Sequence, residues 1–118
     1  MKEVAIGPYK AGHDNPPIVV AEIGINHNGS LELAKEMIEK AAENGADLIK
    51  LQSIQPEKFM AADVPYYGII ESLSFSFKEQ EELFAFAKKK NALLFSAPFD
   101  TETADFLEKM DVPAFKIA

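Results

Sequence analysis

Polar side chains interrupt short apolar segments at several points in this sequence. Five of them stand near the carboxyl ends of such segments: Glu22, Lys50, Gln52, Ser96 and Lys116. A carboxylate in a buried segment costs free energy unless it is paired or faces a wet site. Amines and carboxylates that converge at segment ends can bind anions and move protons. The pattern therefore predicts one polar site that collects residues from several segments, with Ser96 as a hydrogen-bonding group and not as a nucleophile, because no triad partner is evident.

A polar loop follows the first apolar segment, between Gly24 and Gly29. Asn residues in loops commonly shape turns, and we predict Asn26 as a further substrate contact. His27 is disfavoured as a metal ligand because no second histidine stands at ligand spacing, and His13 lies in a turn-rich stretch. We therefore assign no metal ligand within the sequence.

Hydrophobic periodicity supplies the elements that would position these residues. Apolar runs predict strands over residues 18–23, 46–52, 93–96 and 114–118, and 3.6-residue periodicity predicts helices over 31–44, 76–90 and 101–110. This alternation predicts an α/β protein with a parallel sheet and right-handed crossovers, corresponding to the first half of a TIM (β/α)8 barrel. A flavodoxin-like open sheet is the rival, but the sequence shows no glycine-rich phosphate loop and ends before a final covering helix.

The remaining stretches flank this repeating pattern. Residues 1–17 alternate weakly and are rich in turn residues, so we predict a small N-terminal hairpin or cap preceding a barrel part over 18–118. Residues 53–75 lack clear periodicity, and we predict a long loop there of the kind that is often functional or mobile.

Composition narrows the function classes. The net charge of −7 argues against nucleic acid or an anionic membrane as the main partner, although a few lysines in a cleft could still bind a small anion. There is no cysteine, and no apolar run approaches the roughly 20 residues that span a bilayer. We expect a soluble cytoplasmic protein.

Four motifs in register carry a family resemblance. They are AEIGINHNG (residues 21–29), GADLIKLQ (45–52), FSAPFD (95–100) and VPAFKIA (112–118). Together they resemble the N-terminal part of the sialic acid synthases, a family that includes synthases for N-acetylneuraminic, legionaminic and pseudaminic acids and the spore-coat polysaccharide protein SpsE. The resemblance covers residues 18–118.

The resemblance implies a TIM barrel that condenses phosphoenolpyruvate with an N-acyl amino sugar to a nine-carbon keto-sugar acid, releasing phosphate. It also implies a divalent metal, Mn or Mg, that activates the sugar aldehyde. A C-terminal antifreeze-like domain completes the site across a dimer, so we expect a homo-oligomer. The metal-binding histidines and that domain would lie beyond Ala118.

The resemblance also assigns roles to individual residues. Lys50 and Lys116 match the lysines that hold phosphoenolpyruvate, a ligand whose phosphate and carboxylate require concentrated positive charge. Gln52 matches a residue beside the sugar, and Glu22 matches one near the reacting carbons that handles protons or positions water. The sequence departs from the family at Ala97, where a Thr or Ser normally binds phosphoenolpyruvate, and its segment between the second strand and second helix is shorter than usual.

Two alternatives remain open. The chain could be a non-catalytic half-barrel that self-associates through exposed strand edges. It could also belong to another phosphoenolpyruvate-dependent synthase, one that makes eight- or seven-carbon keto-sugar acids. The NHNG loop (residues 26–29) favours the sialic acid branch by resemblance.

Overall fold

The computed structural model describes residues 2–118. In chain order the elements are β1 (Val4–Ile6), β2 (Tyr9–Ala11), β3 (Val20–Gly24), α1 (Leu31–Glu43), β4 (Leu48–Ser53), α2 (Pro56–Phe59), α3 (Tyr67–Leu73), α4 (Phe77–Lys89), β5 (Leu94–Pro98) and α5 (Thr101–Lys109).

A parallel sheet of three strands in the order β3-β4-β5 forms the centre of the fold. Val20 pairs with Leu48 and Ile49 pairs with Leu94, so the three strands run in the same direction. Each strand connects to the next through a long crossover that contains a 13-residue helix, α1 or α4. The predicted α/β class with parallel units is confirmed, and β1 and β2 form the predicted N-terminal hairpin.

The helix ends are fixed by side chains that the sequence makes recognisable. Ser30 accepts a hydrogen bond from the Leu33 N–H at the start of α1. Ser76 and Glu79 form a reciprocal capping box at the start of α4, which satisfies two backbone donors that the first turn leaves free. Asn91 adopts a positive φ of 54° just beyond α4, the left-handed conformation that commonly ends a helix.

The hydrophobic core lies between one face of the sheet and the helices α1 and α4. Ile49 and Leu51 on β4 pack with Ile38 of α1 and Leu83 of α4, and all four side chains are almost inaccessible to solvent. We call this side of the sheet the helix-covered face and the other side the open face. Side chains alternate between the two faces along each strand.

Residues 53–75 differ from the prediction of one long loop. They contain the end of β4 and two short helices, α2 and α3. Helices of four and seven residues span at most two turns, so they leave no repeated apolar spacing for periodicity to detect.

The predicted fourth strand over 114–118 is wrong as a full strand. Phe115 makes one isolated parallel bridge to Ser96, and the Lys116 N–H donates to the Ser96 carbonyl at 3.3 Å. Phe115 and Ile117 remain exposed, and Pro113 lacks the backbone N–H that an earlier ladder bond would use. A single bridge does not fix an extended ladder.

Within residues 2–118, no helix is both long and apolar enough to cross a bilayer.

Candidate functional site at the strand ends

An ion pair joins the ends of the first two parallel strands. Glu22 and Lys50 are register partners on β3 and β4, and Lys50 Nζ lies 2.5 Å from Glu22 Oε2. The Lys50 side chain is only 11% exposed, whereas that of Glu22 is 47% exposed. Glu22 therefore neutralises an amine that is largely withdrawn from water.

Gly24 brings two amide side chains to the same place. A Cβ at Gly24 would lie 3.1 Å from Glu22 Oε1 and 3.9 Å from both Asn26 Nδ2 and Gln52 Cδ. Gly24 has a φ of +59°, and the strand register shifts between Glu22 and Gly24. This irregularity turns the backbone directly after Glu22 and lets three polar side chains converge around one glycine.

We call Glu22, Asn26, Lys50 and Gln52 the strand-end site. Asn26 is oriented by its own hydrogen bond, in which Nδ2 donates to the Ile23 carbonyl oxygen at 2.8 Å. The site presents an amine, a half-exposed carboxylate and two amides at one edge of the sheet. Such a set can bind an anion, donate to a hydroxylated ligand and transfer a proton.

Lys116 lies on the segment that bridges to β5. It directly follows Phe115, the bridge partner of Ser96, and Ala97 directly follows Ser96. The Lys116 N–H donates to the Ser96 carbonyl at 3.3 Å, and Ala97 pairs with Gln52. The Lys116 side chain is exposed.

Ser96 lies on the other face of the sheet from Lys50. It pairs with Leu51, whereas Lys50 pairs with Phe95, so Ser96 belongs to the helix-covered face. Its side chain is fully buried, and its Oγ lies 2.7 Å from the Ser53 Oγ. The Ser96 side chain therefore lies on the opposite face of the sheet from Lys50 and Gln52, and its contact with a substrate stays a prediction.

The loop that carries Asn26 is held from behind by His27. The His27 ring is buried and stacks on Phe75 with 4.1 Å between ring centroids. Its Nδ1 accepts a hydrogen bond from the Gly29 N–H at 3.1 Å. Burial lowers the pKa of the His27 imidazole below its usual value of 6.5. His27 is thus a neutral packing residue that shapes the loop.

Sequence reasoning did not single out Ser53, Gln80 or Phe75, which lie behind the strand-end site. Ser53 directly follows Gln52, and this position next to a predicted site residue was the only sequence feature that could have indicated a role for it. Gln80 is a buried amide on the apolar side of α4. In the sequence it could have been noticed only as a polar residue at a position where the helical period expects an apolar one.

No group of three or more His, Cys, Asp or Glu side chains that could hold a metal ion occurs within the described part of the chain. His13 is exposed and His27 is buried against Phe75. Residues 2–118 therefore provide no such donor set for a divalent ion.

The fold and the site together define a parallel α/β protein with a polar, anion-compatible site at its strand ends. The NeuB family model matches residues 37–118, and the chain belongs to that family. An N,N'-diacetyllegionaminic acid synthase of Campylobacter jejuni is 37% identical over 85% of this chain and 34% of its own length.

Solved structures show the same likeness. The sialic acid synthetase of Leptospira borgpetersenii superposes with a TM-score of 0.91 at 34% identity, over 98% of this chain and 41% of that one. The spore coat polysaccharide biosynthesis protein SpsE of Bacillus subtilis gives a TM-score of 0.78 at 31% identity, over 98% of this chain and 33% of that one. The family resemblance and fold class predicted from the sequence are confirmed. The chain spans about a third of the length of its curated relatives.

Proposed function

We propose that this chain supplies the phosphoenolpyruvate-binding part of an enzyme that joins phosphoenolpyruvate to an N-acyl amino sugar. The observation that carries the proposal is the Glu22–Lys50 pair, with Asn26 and Gln52 beside it. Membership of the NeuB family and the synthase names of its relatives support the product class, a nine-carbon keto-sugar acid.

Lys50 would bind an anionic group of phosphoenolpyruvate in place of Glu22. The amine lies on β4 in surroundings that exclude most water, where a charge-assisted hydrogen bond is stronger than in bulk solvent. Glu22 is half exposed, so its side chain can rotate aside when the ligand arrives. Lys116, whose backbone N–H is bonded to β5 at Ser96, would supply a second positive charge.

The proposed reaction balances with water as the third reactant. The electrons of the enol double bond attack the aldehyde carbon of the sugar, and a carbon–carbon bond forms. Water adds to the carbon that carries the phosphate ester, and phosphate leaves as the keto group forms. The two water protons end on the new hydroxyl and on phosphate. Glu22 would position this water or carry one of its protons, and Gln52 and Asn26 would bind the sugar.

Two features of the proposal come from the family resemblance alone. A divalent metal, Mn or Mg, would activate the sugar aldehyde, and a second copy of the protein would help to complete the site. The described residues provide no donor set for the metal, so the proposed roles of Glu22, Lys50 and Gln52 do not depend on it.

Calorimetric titration of phosphoenolpyruvate tests the role of Lys50. The protein for this test is the native gene product that contains residues 1–118. Lys50→Ala should weaken binding by about 10- to 100-fold, the loss of one charge-assisted hydrogen bond. Lys35→Ala is the matched control, because Lys35 is also largely covered and paired with glutamates but lies on the outer face of α1. Equal affinity of Lys50→Ala and wild type would rule out the assignment.

A phosphate-release assay tests the role of Glu22. With N-acetylmannosamine as acceptor, Glu22→Gln should bind phosphoenolpyruvate at least as tightly as wild type, because the competing carboxylate is removed, and should lose most phosphate release. Release with unacylated aldose phosphates but not with N-acetylmannosamine would favour an eight- or seven-carbon synthase instead.

A second candidate function is non-catalytic self-association. Val20 on the open face is 42% exposed, and Phe115 and Ile117 on the bridging segment are 43% and 82% exposed. Apolar residues beside unpaired strand edges favour pairing with another copy. Light scattering over a concentration series would decide: a monomer at high concentration contradicts self-association, and a dimer without phosphoenolpyruvate binding supports it over the enzyme.

A further inference from the structure

Three buried polar side chains cross the apolar layer between the sheet and α4. We call Ser53, Gln80 and Ser96 the Ser-Gln network. Ser53 Oγ lies 2.5 Å from Gln80 Oε1 and 2.7 Å from Ser96 Oγ. Gln80 Nε2 donates to the Phe75 carbonyl oxygen at 2.9 Å. All three side chains are almost completely buried.

The hydrogen bonds of the Ser-Gln network can run in only one direction. The amide nitrogen of Gln80 donates to the Phe75 carbonyl, so the Gln80 oxygen faces Ser53 and accepts its proton. A hydroxyl has one proton to donate, and Ser53 has used it. The Ser96 hydroxyl must therefore donate to Ser53. In such a one-way series each bond polarises the next, which strengthens the series as a unit.

This arrangement is costly to interrupt. The network lies among apolar residues of the core, including Leu51, Phe75 and Leu83. Within residues 2–118, no buried side-chain nitrogen or oxygen lacks a partner. Removing one member would leave its neighbours buried without partners, which costs more than the bond itself contributes.

The network connects the backbone segments that carry the amides of the strand-end site. Ser53 directly follows Gln52 along β4. Ser96 directly precedes Ala97, the register partner of Gln52 on β5. At the other end, Phe75 stacks on His27, the residue after Asn26. Lys50 pairs with Phe95, the residue before Ser96, but its side chain contacts Glu22 and makes no hydrogen bond to the Ser-Gln network.

We propose that Gln80 is a positioning residue for the amino-sugar end of the strand-end site. It acts through Ser53 on Gln52, and through Phe75 and His27 on the loop that carries Asn26. The phosphoenolpyruvate end, held by Lys50, is independent of it. This inference rests on the proposed function only in naming the sugar as the ligand. The positioning itself is a property of the chain.

NMR titrations of the full chain with N-acetylmannosamine and, separately, with phosphoenolpyruvate test the inference. Gln80→Met keeps the side-chain volume and removes the amide. It should raise the dissociation constant for N-acetylmannosamine by about 10-fold and leave that for phosphoenolpyruvate within about twofold. Leu83→Met is the matched control, because Leu83 is buried in the same layer of α4 and makes no side-chain hydrogen bond; it should change neither constant.

Backbone order parameters give a second readout that needs no ligand. In Gln80→Met, the values for residues 26–29 and 52–53 should fall from about 0.85 toward 0.6, and those of Leu83→Met should not. If Gln80→Met does not fold, the triple variant Ser53→Ala/Gln80→Met/Ser96→Ala removes the network together and should show the same loss of order.

The outcomes separate this inference from the proposed function. Equal weakening of both ligands by Gln80→Met, or unchanged order parameters, would overturn the positioning role. Failure of the wild-type chain to bind N-acetylmannosamine would count against the sugar site in the proposed function. The order parameters alone would then decide whether Gln80 positions Gln52 and Asn26.

Discussion

The two faces of the parallel sheet are made from alternate residues of the same strands, yet they differ in the charged and amide groups that they carry. On the helix-covered face, Ile49 and Leu51 are buried against α1 and α4. On the open face, Lys50 and Gln52 lie beside Glu22. The helix-covered face is apolar along this part of β4, whereas the open face buries Leu48 and Phe95 and also holds the groups that could do chemistry. The separation follows from the two-residue period of a strand.

Ser96 and Ala97 on β5 depart from this separation. Ser96 lies on the helix-covered face and enters the Ser-Gln network, whereas Ala97 occupies the open face across from Gln52. Ala97 is the position where the resembled family normally carries a Thr or Ser. The hydroxyl available to a ligand is therefore absent, and the one that remains is turned into the core.

The largest expected effect is a difference in stability between two variants, one on each side of the sheet. Leu83 is fully buried in α4, so Leu83→Ala should lower the free energy of unfolding by about 3 kcal/mol through lost burial and a cavity. Val20→Ala on the open face should cost less than about 1 kcal/mol, because Val20 is already half exposed. Urea denaturation of both variants measures the difference. Similar costs would mean that the open face is covered in solution.

The next effect concerns the close packing of the loop that carries Asn26. Gly29 has a φ of +71°, and a Cβ there would overlap the Ser72 carbonyl oxygen at the end of α3. Gly29→Ala should cost on the order of 3 kcal/mol, because a backbone atom cannot yield as a side chain can. Gly45→Ala is the control: Gly45 also has a positive φ, but nothing lies within 4 Å of its would-be Cβ. Gly45→Ala should lower the free energy of unfolding by only about 1 kcal/mol.

A smaller effect is the pH dependence that His27 introduces. Burial lowers the pKa of folded His27 below 6.5, so the unfolded chain binds more protons as the pH falls below 6.5. The free energy of unfolding is therefore highest above pH 6.5, where His27 is neutral in both states. It declines on acidification by at most about 1.4 kcal/mol per pH unit.

Chemical denaturation between pH 5 and 7 should detect this slope in wild type, since those values bracket the usual range of histidine titration near 6.5. His27→Phe keeps an aromatic ring against Phe75 and should lose the His27 part of the slope. His13→Phe changes an exposed histidine and should keep it. A slope that survives in His27→Phe would assign the pH dependence to other groups.

The smallest expected change in stability comes from Lys50→Met. The variant replaces a largely covered amine with an apolar side chain of similar length, and Glu22 stays half solvated. The free energy of unfolding should change by less than about 1 kcal/mol in either direction, while phosphoenolpyruvate affinity falls at least about 10-fold. A large stability loss would show that the pair serves the fold more than the ligand.

The sequence allowed the elements on the helix-covered side to be predicted because their signals are local. Ser30, the Ser76–Glu79 capping box and Asn91 each fix a helix end through contacts within a few residues. The alternation of Lys50 and Gln52 with apolar neighbours likewise indicated two faces. Membership of the family followed from four motifs in register.

The parts that could not be predicted depend on contacts between distant residues. Assigning Ser96 to a face requires the register of β5 against β4, which no local pattern gives. The stacking of His27 on Phe75 joins two segments that lie far apart along the chain. Helices α2 and α3 are too short to show a period, and the segment after Pro113 makes only one bridge where a strand was expected.

The ion pair between Glu22 and Lys50 also has a consequence for the proposed binding of an anionic ligand. Any anion that binds Lys50 must first displace the Glu22 carboxylate, which lies 2.5 Å from the amine. The internal carboxylate competes at a high effective concentration because it is tethered to the neighbouring strand. Small monoanions such as chloride or acetate compete poorly with it, whereas a ligand that carries a phosphate and a carboxylate competes with several charges at once. Glu22 would thereby select for polyanions before any chemistry begins.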